Sequence, residues 1–334
     1  MELKNFNLKK KVFIIAEVGN NHEGNFAVAK KLVYQAAKAG VSAVKFQIFK
    51  TENFVRKKDK KRFKQLKRFE LSYKQFQFLK KLAHKNKLKF IATPLDLLSA
   101  DFVARNADII KIASGDNNFY PLIDKVLKSK KPIIISTGMT NASQIKILTN
   151  YIVKAIGKKE TEKRISLLHC VTSYPVDDKF ANLRSIDYLI KNSKLTIGYS
   201  DHTLGNEACI AAVTIGAKII EKHFTINKKF SKFRDHALSA DYLDMKNLVK
   251  GIRKLEIQLG KFCKEIQKPE KKMIKIARRA VYAHRDILSG EKLNLKNIKF
   301  LRPAQTINFN SLKKVIGKKI RKKFYKNQKI NLNT

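Results

Sequence analysis

Eight short apolar runs, each followed by a segment with helical spacing, recur through the first two thirds of the chain, at 12–19, 43–49, 89–94, 108–114, 132–138, 166–171, 195–200 and 218–225. The runs are apolar throughout rather than alternating, as expected of parallel strands buried on both faces. Segments between them, such as 27–39, 73–85 and 142–156, carry apolar residues at helical spacing with lysines opposite. Eight strand-helix units in roughly 250 residues match an α/β fold of the closed (β/α)8 type, a TIM barrel. An open, doubly wound sheet is the alternative, but no Gly-rich dinucleotide loop follows the first run.

A chain of 334 residues holds one large core and a small second domain. We read 1–260 as the barrel, 261–277 with its Pro269 as a charged linker, and 278–334 as a small β-rich module. In that module strand-like pieces at 280–283, 299–301 and 329–332 are separated by turns such as Ser289-Gly290-Glu291. No run reaches the roughly 18 apolar residues of a spanning helix, and no apolar block near Met1 resembles a secretion signal, so a cytoplasmic protein without membrane contact is expected. Cys170, Cys209 and Cys263 are scattered, as in a reduced chain. The formal net charge of +45 would suit a polyanion. Its lysines are spread over nearly every helical segment, however, so no specific nucleic-acid partner is expected. The densest patch, 56–68, reads as a solvated loop and helix start or as a cationic rim for an anionic substrate.

In a barrel the active face lies at the carboxyl ends of the strands. Those ends are polar here: Glu17 in the first run, Lys45 and Gln47 in the second, Thr93, then Lys111 and Ser114, Ser136, then Thr172 and Tyr174, then Ser200 and His202, and last His223. Residues 206–216 read as the helical crossover between the last two strands, which brings His202 and His223 to one side as a metal pair. Two separately satisfied histidines are the alternative, set against the polar neighbours Ser200, Asp201, Glu221 and Lys222. A lysine inside an apolar strand must find an anion or reach water. Lys45 and Lys111 therefore either cradle a phosphate or carboxylate or pair with Glu17 or Asp96. Past His223, a polar loop with Asp235 reads as a cover over the mouth, where Asp235 is a cap, a turn residue or a functional carboxylate. A helix capped by Ser239 and running to about Gly260 should follow.

Taken in order, Ala16-Glu17-Val18-Gly19-Asn20-Asn21-His22-Glu23-Gly24, Lys45-Phe46-Gln47, Ala92-Thr93-Pro94, Lys111-Ile112-Ala113-Ser114-Gly115-Asp116, Ser136-Thr137-Gly138-Met139, Ser173-Tyr174-Pro175, Gly198-Tyr199-Ser200-Asp201-His202-Thr203 and Glu221-Lys222-His223-Phe224-Thr225 resemble the sialic acid synthases. Those enzymes condense phosphoenolpyruvate with an N-acetylmannosamine-type sugar to a nine-carbon ulosonic acid and phosphate. The tail, with Leu301-Arg302-Pro303, resembles their antifreeze-like (SAF) domain. The resemblance implies a divalent metal, typically Mn2+, on His202 and His223. It implies phosphoenolpyruvate on Lys45, Thr93, Lys111, Ser114, Ser136 and Ser200, with Thr172 where N-acetylneuraminate synthases carry an asparagine. Glu17, Gln47, Tyr174 and Asp235 would face the sugar, with Glu17 as the base. Arg302 would reach the acceptor from the other subunit of a domain-swapped homodimer. Ala304 stands where a glycine is usual, and the acceptor is either N-acetylmannosamine or a 2,4-diacetamido-dideoxy hexose leading to legionaminic or pseudaminic acid.

Overall fold

The computed structural model describes residues 1–3, 6–302 and 309–331. Eight of the described strands close into a parallel barrel in sequence order: β1 (Phe13–Gly19), β2 (Ala43–Ile48), β3 (Lys89–Pro94), β4 (Ile109–Ile112), β5 (Ile133–Ser136), β6 (Ile165–Cys170), β7 (Thr196–Asp201) and β8 (Ile219–His223). Closure is made by β8 pairing with β1, from Phe13 opposite Ile219 to Glu17 opposite His223. Closure removes the exposed sheet edge, and the apolar strands are buried on both faces as their composition requires.

The pleat sorts each strand into two sets. Phe13, Ile15, Ala43, Ile91, Ile109, Ile134, Leu168 and Ile219 form one buried cluster inside the barrel, floored by Leu3 and Leu8. The alternate residues, among them Ile14, Val44, Phe46, Phe90, Ile110, Ile133, Leu167 and Ile220, pack outward against the helices. Each such side chain removed from water contributes about 1.5–3 kcal/mol. Two residues further along each inward set lie the polar groups of the mouth: Glu17, Lys45, Thr93, Lys111, Ser136, Cys170 and Glu221. Strand parity therefore aims this ring inward.

The same parity sends Asp201 and Lys222 outward. Lys222 Nζ lies 2.5 Å from Asp201 Oδ2 and donates to the Thr203 carbonyl at 2.9 Å, while Asp201 Oδ1 accepts from Tyr199, from the Thr203 backbone and from the Thr203 hydroxyl. This pair is buried and satisfied, a structural brace behind the histidines. The crossover helix Glu207–Ile215 runs between caps Asn206 and Gly216, where the sequence set it.

After β8 the chain forms a short helix, Arg234–Leu238, and then the helix Tyr242–Leu259. The long helix is capped by Asp241, in a reciprocal capping box with Asp244, and not by Ser239 as expected. Ser239 is buried instead, accepting from Asn21 Nδ2 at 2.9 Å and donating to the Asp235 carbonyl. The 50–70 stretch contains the 56–68 patch read as a solvated loop and helix start, and a helix does start there. The stretch forms the helices Thr51–Phe54 and Lys60–Phe69, and Leu66 and Phe69 of the second turn inward to a cluster with Phe49 and Phe233.

The chain divides into two compact units, 1–260 and 261–334. The second contains the helix Glu270–Ala277, within the stretch read as a linker, and an antiparallel pair of β9 (Ala280–Ala283) and β10 (Ile298–Leu301). Its own core comprises Val281, Ala283, Ile287, Leu293, Ile298, Phe324 and Ile330. The third strand-like piece is reduced to an isolated bridge between Lys329 and Tyr282. Pro303, Ala304 and Leu332 lie outside the described residues. Among the described residues no helix is long and apolar enough to cross a membrane.

Candidate active site

At the centre of the mouth, Glu221 takes both lysines. Lys45 Nζ lies 3.0 Å and Lys111 Nζ 2.9 Å from its carboxylate, and Ser200 Oγ donates to it at 2.9 Å. Lys45 also lies 3.2 Å from Glu17. Of the two partners considered for the lysines, Glu17 is met, while Asp96 caps the next helix through Ser99 and receives the Lys50 backbone N–H. Glu221 was visible in the sequence only as a polar neighbour of His223. Its place as the common counter-ion was not read there.

All four charged groups are buried. Burial disfavours the charge of Glu221, but Lys111 and Lys45 outweigh it and hold the carboxyl far below its usual range. Burial pushes Glu17 up to about 7, against the pull of Lys45 and with the help of the Glu221 charge. Burial opposes the charge on Lys45 too, yet Glu17 and Glu221 raise it to about 12, while burial lowers Lys111. Glu221 is thus the firm negative charge between the two lysines, while Glu17 exchanges its proton near neutrality. In the same inward ring the hydroxyls of Thr93 and Ser136 are buried without a hydrogen-bond partner. Buried donors left unpaired are costly, so this set suits an incoming anion.

Glu17 is oriented by Gln47, whose Nε2 donates to it at 3.4 Å and whose Oε1 accepts from Asn20 Nδ2 at 2.8 Å. The β1–β2 register shifts between Glu17 and Gly19, and Gly19 has φ 52°; a Cβ there would lie 3.1 Å from the Glu17 carboxylate. On the far side, the Gly138 backbone N–H donates to Ser114 Oγ at 3.1 Å. A Cβ at Gly138 would collide with Ser114 Oγ and Thr172 Oγ1, so the bare glycine lets those two hydroxyls approach each other.

His223 ends β8 and His202 lies one residue past β7, with ring centres 5.3 Å apart. His202 Nδ1 lies 2.8 Å from the Val171 carbonyl, an arrangement that places the proton on Nδ1 and leaves Nε2 as a ligand. Cys170 Sγ is 3.8 Å from the same Nδ1. Burial holds His223 neutral, well below its ordinary value, and its Nδ1 is buried without a hydrogen-bond partner. Burial opposes charge on His202, but Cys170 and the Val171 carbonyl outweigh it and raise the imidazole above its ordinary value. The Nε2 of His202 and the unpartnered Nδ1 of His223 are nitrogens of the type that hold a divalent cation. Among the described residues no group of three or more His, Cys, Asp or Glu has metal-holding geometry, so the other positions would fall to water and substrate oxygens.

Tyr174 lies against both histidines, 4.2 Å from His202 and 5.8 Å from His223 between ring centres. Asp235 is on the short helix after β8, and burial raises its carboxyl. That helix is pinned by His236, whose Nδ1 meets Thr225 Oγ1 at 2.7 Å and whose Nε2 meets Glu23 Oε1 at 3.1 Å. Arg302 is exposed just past β10 in the second unit.

A closed parallel barrel whose carboxyl mouth gathers two buried lysines, two buried carboxylates and two imidazoles has the architecture of a barrel enzyme. Residues 32–264 match the NeuB family model. The chain is 42% identical to an uncharacterized protein of Methanocaldococcus jannaschii over 92% of this chain and 90% of that one. It is 38% identical to the N,N'-diacetyllegionaminic acid synthase of Campylobacter jejuni over 96% of this chain and 99% of the relative. Among solved structures it is similar to the N-acetylneuraminic acid synthetase of Leptospira borgpetersenii in complex with citrate, with TM-score 0.75, 34% identity, and coverage of 82% of this chain and 94% of that one. The chain belongs to the NeuB family, the sialic acid synthases.

Proposed function

We propose that this protein is an ulosonic acid synthase that condenses phosphoenolpyruvate with an acylamino hexose and releases phosphate. The observation that carries the reading is the Lys45-Glu221-Lys111 cluster with the unpartnered hydroxyls of Thr93 and Ser136 beside it. In the reaction C3 of phosphoenolpyruvate bonds to the aldehyde carbon of the open-chain sugar, water adds at C2, and the C2–O bond to phosphate breaks. Lys45 and Lys111 neutralise the carboxylate and the departing phosphate, while Ser114, Ser136, Ser200, Thr93 and Thr172 donate hydrogen bonds to their oxygens. Glu17, poised near neutrality by burial, takes the proton from the attacking water, and Gln47 keeps its carboxylate in place. A divalent cation on His202 and His223, Mn2+ by the family resemblance, would supply Lewis-acid polarisation of the acceptor's carbonyl. Tyr174 and Asp235 line the sugar's side of the mouth.

Within this reading the acceptor is N-acetylmannosamine or a 2,4-diacetamido-dideoxy hexose of the legionaminic or pseudaminic branch. The Campylobacter relative, a diacetyllegionaminic acid synthase matched along nearly its whole length, supports the diacetamido sugar. Purified protein incubated with phosphoenolpyruvate, Mn2+ and each of the three acceptors should release phosphate, with a nine-carbon product identified by mass spectrometry. Release with none of them rejects the function.

The reading extends to Arg302 and to the second unit as an antifreeze-like (SAF) domain serving the partner barrel of a domain-swapped homodimer. A guanidinium offers a planar set of donors suited to an amide carbonyl. Arg302→Ala should raise the KM of the acceptor at least about tenfold and leave that of phosphoenolpyruvate unchanged. Assayed at acceptor concentrations well below KM, where both parents are nearly inactive, an equal mixture of Glu17→Ala and Arg302→Ala proteins, with subunit exchange, should recover about a quarter of the wild-type rate, because half the dimers are mixed and each holds one intact site. No recovery despite proven heterodimers would mean that the tail serves its own barrel.

A further inference from the structure

Arg234 has no role in the chemistry above. It opens the short helix Arg234–Leu238, with its guanidinium carbon 4.9 Å from the centre of the Tyr174 ring. Tyr174 in turn lies 4.2 Å from His202. Imidazole, phenol and guanidinium thus follow one another in contact from the buried His202 to the largely exposed Arg234. Arg234 Nε donates to Asp235 Oδ1 at 3.3 Å.

The residues around Arg234 are anchored. Phe233 packs on Phe69 at 5.1 Å, His236 is buried between Thr225 and Glu23, and Ser239 ties the Asp235 carbonyl to Asn21. The Arg234 side chain nonetheless stays 65% exposed. A guanidinium carries five N–H donors in one plane, and among the described residues a single one of them is used, at Asp235. The cation-π contact with Tyr174 holds the guanidinium over the ring and leaves its other donors unpaired among the described residues. The Asp235 carboxylate beside it offsets the local charge. Such a group offers direction more than net charge, which suits a neutral carbonyl oxygen better than a phosphate ester.

Resting on the proposed synthase reading, we infer that Arg234 is a specificity-determining contact for the acceptor and binds its second acylamino group, the one farther from the aldehyde. This order of contacts selects that group: the reacting carbon belongs beside His202, and Arg234 stands one aromatic ring further out. The acylamino group next to the aldehyde lies too close to the histidine to meet it. A site built to hydrogen-bond a polar group discriminates strongly against an analogue that lacks it.

The test compares wild type, Arg234→Ala and Arg234→Lys with a 2,4-diacetamido-dideoxy hexose, N-acetylmannosamine and N-acetylmannosamine 6-phosphate, at saturating phosphoenolpyruvate and Mn2+. Wild type should prefer the diacetamido sugar. Arg234→Ala should lower kcat/KM for that sugar roughly tenfold to a hundredfold, mainly through KM, and leave N-acetylmannosamine within about twofold. Arg234→Lys, which keeps the charge and loses the planar fork, should recover little. The KM of phosphoenolpyruvate should not move in either variant, which also reports an intact barrel. An equal loss with all acceptors, or a fall in kcat alone, would make Arg234 a prop for Asp235 or Tyr174 and overturn the inference. So would a loss confined to the 6-phosphate, or a wild type that prefers N-acetylmannosamine. A wild type that releases phosphate with none of the acceptors would instead fail the synthase reading itself.

Discussion

His223→Ala and His202→Ala should each lose at least about a thousandfold in kcat, and Mn2+ should restore neither, because removing a cation that polarises a carbonyl forfeits several kcal/mol of transition-state stabilisation. Wild type treated with a chelator should lose activity to the same floor and recover with Mn2+. The two variants need not behave alike in stability. His202 ties β7 to the Val171 carbonyl, so its loss strands a backbone acceptor, whereas His223 Nδ1 has no protein partner to strand. A melting temperature lowered in His202→Ala and nearly unchanged in His223→Ala would separate the positioning bond from the ligand role. Metal content measured on the purified variants gives a readout independent of catalysis. Full activity in chelated wild type would end the metal assignment.

The barrel was legible because its strands are apolar on both faces and its turns are short, so eight runs could be counted without knowing what each one touched. The histidines were legible for the same reason, being polar residues at the ends of apolar runs. Glu221 was not. In Ile219-Ile220-Glu221-Lys222-His223 the acidic and basic residues are adjacent, and a linear reading pairs them with each other or with the mouth in general. The pleat separates them: Lys222 turns outward to Asp201, and Glu221 turns inward to Lys45 and Lys111. Strand parity anchored on Ile15, Ile91 and Ile219 as interior residues would have found it. The helix cap was misread because Ser239 and Asp241 are both good caps, and the choice is made by Asn21, a partner more than two hundred residues away in sequence. The start of the helix Lys60–Phe69 was legible, but its buried side was not. Its charged residues dominate the local pattern, while the contact of Phe69 with Phe233 is tertiary.

Whether the two lysines are there for a substrate or for Glu221 can be decided by separating stability from binding. If Lys111 only neutralises Glu221, Lys111→Met should cost stability and leave the KM of phosphoenolpyruvate unchanged. If it also holds the anion, Lys111→Met should in addition raise that KM about tenfold to a hundredfold, the value of one charge-assisted hydrogen bond. Removing the carboxylate instead leaves Lys45 and Lys111 as neighbouring buried cations with Glu17 alone opposite. Glu221→Gln should therefore destabilise the fold by about 3–5 kcal/mol in denaturant titrations, the usual cost of breaking a buried ion pair on one side. Phosphoenolpyruvate supplies the missing negative charge and should stabilise Glu221→Gln by more than it stabilises wild type. The double variant Lys111→Met with Glu221→Gln leaves Lys45 opposite Glu17 and should regain most of the lost stability without regaining use of phosphoenolpyruvate. Recovery of both together would mean that the lysines serve the fold alone and that the anion binds elsewhere in the mouth.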